Sequence, residues 1–303
     1  MTTPDQAPRA EANPLAYLLL SFTALCWGAN AIFGRLAVGE VSPMALTMLR
    51  WLFALVLLLV VARGQLVRDW PVMRPRLPFL AVMGALGFTA FNALYYVAAH
   101  WTSAVNIGIL QGSLPVFVLI GAFLAYRTPV GPLQLTGVAV TILGVALVAS
   151  RGDLSRLTGL AFNLGDVLMI VCCALYAGYT VALQRRPAVG ALSLFTVLAA
   201  AALVTSLPLV GLEAALGHLQ WPTPRGWIIV ALVVLFPSFL AQIFFIRGVA
   251  LIGPGRAGVF VNLVPVFASI LAVAVLGETI ALFQAAALVL VLGGIGLSEA
   301  RKR

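Results

Sequence analysis

The chain has 303 residues, of which 62% are hydrophobic and only 9% charged, and its net charge is +9. A soluble domain covers its surface with roughly 25% charged residues, so this composition excludes a water-soluble globule and turns the outer surface toward lipid. It also excludes a soluble nucleic-acid-binding face, despite the basic balance.

Residues 1–13 are polar, with Asp5, Arg9 and Glu11. They read as a disordered cytoplasmic tail, because a cleavable signal needs a basic start and a small-residue cleavage site. A hydrocarbon core of about 30 Å takes about 20 apolar residues per helix. Apolar stretches fall at 15–38, 43–63, 77–98, 102–125, 131–149, 161–184, 188–211, 226–247, 254–276 and 281–298, which predicts ten transmembrane helices. Runs such as Phe53 to Ala62 are apolar throughout, unlike the alternating strands of a membrane barrel.

A polar side chain in lipid needs a partner or a wet cavity, so polar and aromatic residues within the spans are the candidates for binding. Span one offers Trp27 and Asn30. Arg50 lies about 10 Å into span two, where it would snorkel, pair with carbonyl ends, or meet a substrate carboxylate. Span three brings Asn92, Tyr95 and Tyr96, with His100 and Trp101 at its outer end. Span four has Asn106 and Gln111, span six Tyr176 and Tyr179, span eight Gln242 and span nine Asn262. The amides suit a zwitterionic headgroup and the rings suit an aromatic side chain. Plainer readings stand beside these. Membrane amides often only join neighbouring helices, at about 0.6 kcal/mol each, and Trp101 and His100 fit an interfacial belt. Asp166, near the start of span six, fits a carboxylate at a helix N-terminus; with His100 it is also a candidate for proton coupling. Pro115 and Pro265 interrupt spans four and nine and are candidates for gating kinks. Gly137, Gly144, Gly293, Gly294 and Gly296 read as packing or dimer-face residues.

Placing the N-terminus inside sorts the basic residues about three to one. Arg63, Arg68, Arg74, Arg76, Arg127, Arg185, Arg186, Arg247 and Arg256, with the two basic tails, fall on the cytoplasmic side, and only Arg35, Arg151, Arg156 and Arg225 on the outer side. Positive loops stay in the cytoplasm, so both termini are expected there. Sliding the chain by 150 residues matches Gly108 with Gly258, Pro115-Val116-Phe117 with Pro265-Val266-Phe267, Gln134 with Gln284 and Gly144 with Gly294. Five spans per half is an odd number, so the second half would be upside down. The expected fold is an all-α integral membrane protein of ten transmembrane helices: two inverted five-helix repeats, 14–150 and 151–303, around a central cavity.

Leu25-Cys26-Trp27-Gly28-Ala29-Asn30, Ser42-Pro43 followed by Arg50-Trp51, and the pair Leu114-Pro115-Val116-Phe117 and Val264-Pro265-Val266-Phe267, with Gly277-Glu278 after the latter, resemble the EamA branch of the drug/metabolite transporter superfamily. The chain departs from that pattern at Arg127-Thr128, where many relatives have Gly-Glu. The resemblance covers 15–298 and implies ten spans, inverted repeats and export of small metabolites across a bacterial inner membrane. Within the family the chain is similar to YddG-type exporters of aromatic and other amino acids.

The function expected is therefore a secondary transporter exporting small neutral or zwitterionic metabolites, chiefly amino acids including aromatic ones, by alternating access. Other small drugs or metabolites are the alternative substrates. A membrane-embedded enzyme on a lipid-linked substrate would need a catalytic constellation, and a channel a filter of loops or charge rings; neither is visible. Phosphorylated substrates would require more intramembrane cations than Arg50. No cofactor or metal is expected, since Cys26, Cys172 and Cys173 show no ligand spacing. The partners expected are the substrate and the bilayer, with monomer and oligomer both open.

Overall fold

The structure, a computed structural model, describes residues 13–153 and 163–299; most of the expected tail, Arg156 and the terminal Arg301, Lys302 and Arg303 lie outside the described residues. Every regular element among the described residues is helical. We label them α1 (Pro14–Leu36), α2 (Pro43–Met73), α3 (77–98), α4 (104–126), α5 (Pro132–Ala149), α6 (Leu164–Ala182), α7 (Ala191–Ala215), α8 (224–252), α9 (254–276) and α10 (Leu282–Glu299). Eight helical runs among the described residues are long and apolar enough to cross a bilayer, and Leu282–Ser298 is a shorter apolar helix. One run, Pro43–Ala98, holds both α2 and α3. It doubles back at Arg74–Arg76: Arg50 Nη1 donates to Tyr96 Oη at 2.7 Å, and Trp51 stacks on Phe88 at 4.7 Å. A straight rod of 56 residues, about 84 Å long, would hold these groups far apart.

Several helices start where the local chemistry favours it. Proline stands in the first turn of α1, α2, α5 and α8, where its missing N–H costs nothing. Asn13, Ser103, Asn163 and Thr223 accept N–H bonds from the first turns of α1, α4, α6 and α8. Side chains such as Val60 (78% exposed), Leu124 (69%) and Val289 (70%) present bare apolar surface on separate helices, as a lipid-facing wall requires. α2 runs ten residues past the span end expected at 63. The extra turns are held because Met73 is fully buried and Asp69 Oδ2 accepts from Gly190 N at 3.0 Å.

Contacts between connections divide the bundle into two ends. Asp69 with Gly190, Tyr126 with Val181 and Arg256 with Tyr17 meet at one end, which also carries Arg74, Arg76, Arg127, Arg185 and Arg186; we call it the basic end. Ser42 with Glu213, Glu40 with Thr223, Arg35 with Ala99 and Asn163 with Trp101 meet at the other. α1 packs on α8 and α9, and α6 packs on α3 and α4, so each is nested among helices distant in sequence. α5 lies along α10. A methyl added at Gly137 would run into Gly294 O and stand 2.7 Å from Ser298 N, so the two backbones touch there.

Irregularities recur at matched positions. α3 and α8 each relax into a π-helical stretch, Ala85–Ala90 and Val234–Leu240. α4 and α9 each break, between Ala104–Gln111 and Leu114–Tyr126 and between Pro254–Val261 and Val264–Leu276. Each ends on a left-handed residue, Arg127 (φ 54°) and Gly277 (φ 66°). Gln134 and Gln284 each accept from the backbone three residues earlier, Gly131 N and Ala281 N, at 2.9 Å. The sequence predicts mid-helix kinks at Pro115 and Pro265. The helix instead breaks just upstream of each, which puts the proline in the first turn of a new segment, where neither the lost donor nor the ring clash is felt.

Candidate functional site

A cavity of about 610 Å³ runs through the middle of the bundle. Its inner reach is bounded by Trp27, Asn30, Arg50 and Asn92, and it extends to Thr128, Pro129, Gln184 and Ser298 at the basic end. Eight aromatic side chains stand in its wall. Trp51 lies flat on Phe88 (4.7 Å, 6° between planes), Phe88 meets Tyr179 at 5.2 Å, Tyr179 meets Tyr176 at 5.3 Å, and Tyr176 meets Phe91 at 5.2 Å. Across from this ladder, Trp27 packs against Phe245 at 5.3 Å and donates from Nε1 to Pro237 O at 3.2 Å. The π-helical stretches shape both sides. Gly87 in one has room for no side chain, since a methyl there would sit 2.5 Å from the Tyr179 ring. Pro237 in the other offers its carbonyl to Trp27 while Ser238 Oγ donates to Val233 O at 2.7 Å. Such stretches release backbone groups and mark functional sites often.

Of the residues expected to meet substrate, Trp27, Asn30, Asn92, Gln111, Tyr176, Tyr179, Gln242 and Asn262 line this one cavity. They come from helices on both sides of the chain's midpoint. Asn30 Oδ1 accepts from Arg50 Nη1 and Tyr96 Oη, both at 3.2 Å. Asn92 Nδ2 donates to Phe88 O at 2.6 Å, and its Oδ1 is enclosed with no hydrogen bond. Tyr95, Tyr96 and Trp101 stand outside the lining. Tyr95 is fully buried against Phe91 and Tyr96. Tyr96 supports Arg50 from behind, and Trp101 is 58% exposed at the other end. Pro115 lines the cavity, whereas Pro265 is buried under α4.

Arg50 does not snorkel. It is 7% exposed, its guanidinium carbon lies 5.3 Å from the centre of the Trp51 ring, and it lines the cavity. Trp51, Phe88, Phe91, Phe195 and Ser238 also line it, and the sequence reading had not chosen them. Their apolar setting within long apolar runs hides them, since helix rotation alone decides which ring faces inward.

At the opposite end a polar layer lies beyond the cavity. Asp166 is fully buried and accepts from Thr102 Oγ1 at 2.6 Å and from Asn106 Nδ2 at 3.4 Å. Gln284 Nε2 donates to Asn106 Oδ1 at 2.7 Å. Glu278 accepts from Ala104 N (2.9 Å) and Val105 N (3.1 Å), so a carboxylate from α9's end caps α4. Outside this layer, a separate hollow of about 380 Å³ holds Arg35, His100, Trp101 and Arg151. Burial holds the His100 imidazole below its ordinary value near 6.5, with Arg35 adding to the effect. Among the described residues, no three His, Cys, Asp or Glu side chains gather as a metal site.

The family model for EamA-like transporters matches this chain twice, over residues 14–150 and 163–299. An uncharacterized transporter of Bacillus subtilis (strain 168), YyaM, is 28% identical over 92% of this chain and 92% of its own. A second from the same strain, YetK, is 25% identical over 95% and 88%. The uncharacterized inner membrane transporter YedA of Escherichia coli (strain K12) is 24% identical over 84% and 81%. A solved crystal structure, 22% identical, covers 93% of this chain and 96% of its own with a TM-score of 0.63, a likeness of fold. A multi-pass apolar bundle, a central aromatic cavity and two consecutive matches that fill nearly the whole described chain agree on one conclusion: the chain belongs to the EamA-like transporter family.

Proposed function

We propose that this membrane transporter exports small neutral or zwitterionic metabolites, amino acids with aromatic side chains among them, by alternating access between two inverted five-helix halves. In this reading α1–α5 and α6–α10 cross the membrane ten times, with both termini in the cytoplasm of a bacterial cell and the cavity at the seam. The observation that carries it is the cavity: aromatic-walled, lined from both halves, continuous with the basic end and separated from the other by the Asp166–Asn106–Gln284 layer. The paired π stretches, paired breaks and paired glutamines support the internal symmetry, and the basic end fits a cytoplasmic face. The state described is then the one that loads from inside. Pro115 and Pro265, at the two breaks, are where half-helices would swing, and Asp166 and His100 remain the groups to test for proton coupling.

The test is efflux from liposomes holding the purified protein, screened over amino acids with and without a pH gradient. Trp27→Ala removes one ring contact, an effect of about 1 kcal/mol. We expect phenylalanine and tryptophan efflux to fall about fivefold at equal protein level. Unchanged efflux would remove Trp27 from the cavity's function, and no efflux of any amino acid by the unaltered protein would move the reading to other small drugs or metabolites.

A further inference from the structure

We propose that substrate enters carboxylate-first and that Arg50 is the group it meets, so that the substrate class is a monocarboxylate with a flat apolar body and the α-amino group is dispensable. The inference rests on the transport reading above and narrows it.

Arg50 is a charge held inside the bundle with neutral companions. Nη1 donates to Asn30 and Tyr96, and Nε is enclosed with no partner. None of the ion pairs between described residues includes Arg50, and no Asp or Glu is among the residues that line the cavity. A buried guanidinium without a counter-ion is costly; the Trp51 ring at 5.3 Å offsets part of that cost. Asn30 and Tyr96 hold one nitrogen in place, and among the described residues no hydrogen bond uses Nη2. With Nη1 engaged and Nε enclosed, Nη2 is the nitrogen left to meet a carboxylate, through a charge-assisted hydrogen bond.

The rest of the wall describes the remainder of the molecule. Trp51 adjoins Arg50 and stacks on Phe88, and the ladder continues through Tyr179 and Tyr176. A planar apolar body lies along such a surface. One cation balances one negative charge, so a phosphate dianion is poorly matched. An ammonium finds no acidic side chain here. Only neutral acceptors remain for it, Asn92 Oδ1 and the amides of Gln111 and Gln242 among them, so an amine is held by hydrogen bonds without a charge partner.

Calorimetric titration of the purified full chain in detergent separates these groups with three probes: phenylalanine, 3-phenylpropionate and phenylalaninamide. We expect 3-phenylpropionate to bind within about threefold of phenylalanine, and the amide at least about tenfold more weakly. R50K keeps the charge but loses the Asn30 and Tyr96 anchors that aim Nη2, and should weaken both carboxylates about tenfold while leaving the amide unchanged. The comparison on the unaltered protein stands even where a variant fails to fold. Equal binding of amide and phenylalanine, or loss of 3-phenylpropionate binding alone, would overturn the carboxylate-first arrangement. Phenylalanine efflux from liposomes, measured alongside, tells the two failures apart: intact efflux with either result leaves transport standing, and its absence with no probe binding removes both.

Discussion

His100 sits on the turn between α3 and α4, in the outer hollow with Arg35 and Arg151, and Glu213 also acts on it. Burial and Arg35 both disfavour its charged form, while Glu213 opposes them more weakly. Its folded value is therefore below its unfolded one. The unfolded chain takes up the proton first as pH falls, so the neutral imidazole's contribution is complete above about 6.5 and is lost as pH drops below that. Thermal unfolding in detergent should show the gap between unaltered protein and His100→Gln change between about pH 8 and about pH 5, the histidine form losing more on acidification. A constant gap would remove His100 as a pH-sensitive element. At this scale, legibility followed polarity. Asn30, Asn92, Gln111, Gln242 and Asn262 stand out because an amide in an apolar run needs an explanation, and all five line the cavity. Tyr95 and Trp101 show the limit of that signal: two tyrosines in succession point to different surroundings, and depth along a span does not say which way a ring turns.

Helix pairs show where small residues matter. At Gly137 an added side chain meets backbone of α10, which cannot swing aside, whereas Gly296 has open space. Gly137→Val should lower the unfolding temperature by several degrees, the effect of about 1–3 kcal/mol of overpacking, while Gly296→Val should leave it unchanged. Equal effects at both sites would mean that the α5–α10 contact is looser than described. Most spans were legible because twenty apolar residues leave a chain few alternatives. The breaks in α4 and α9 and the π stretches in α3 and α8 were not. Hydropathy is blind to them, because Gly112 and Ser113 or Phe236 and Pro237 interrupt a backbone ladder without interrupting an apolar run. Arg127 was read as a departure from the pattern at Gly277, yet it adopts the same left-handed cap, so the backbone there keeps its shape without the glycine that usually makes it easy.

The molecule as a whole has two unlike ends. On the proposed topology, which puts the basic end in the cytoplasm, a cysteine placed at Thr128 should react with an impermeant maleimide only when the inner face is open to it, and one at Ile280 only from outside. Labelling of both from one face would overturn the alternating topology and the inversion with it. The division into ends was legible from arginine placement; which end holds the cavity's mouth was not, because the same apolar pattern serves a cavity open to either end. Gln134 and Gln284 make this concrete. Each bonds its own helix start, but Gln284 also reaches Asn106, while Gln134 borders open space in the cavity. Glu278 adds two backbone bonds on the same side, and at the matching place Thr128 turns its hydroxyl back to Ala122 O. On the proposed reading, the unladen carrier rests open toward the basic end. In that reading opening the far side must first unfasten the bonds of Glu278 and Gln284 there, and loosening Glu278 would trade the one-sided rest for a more even shuttle.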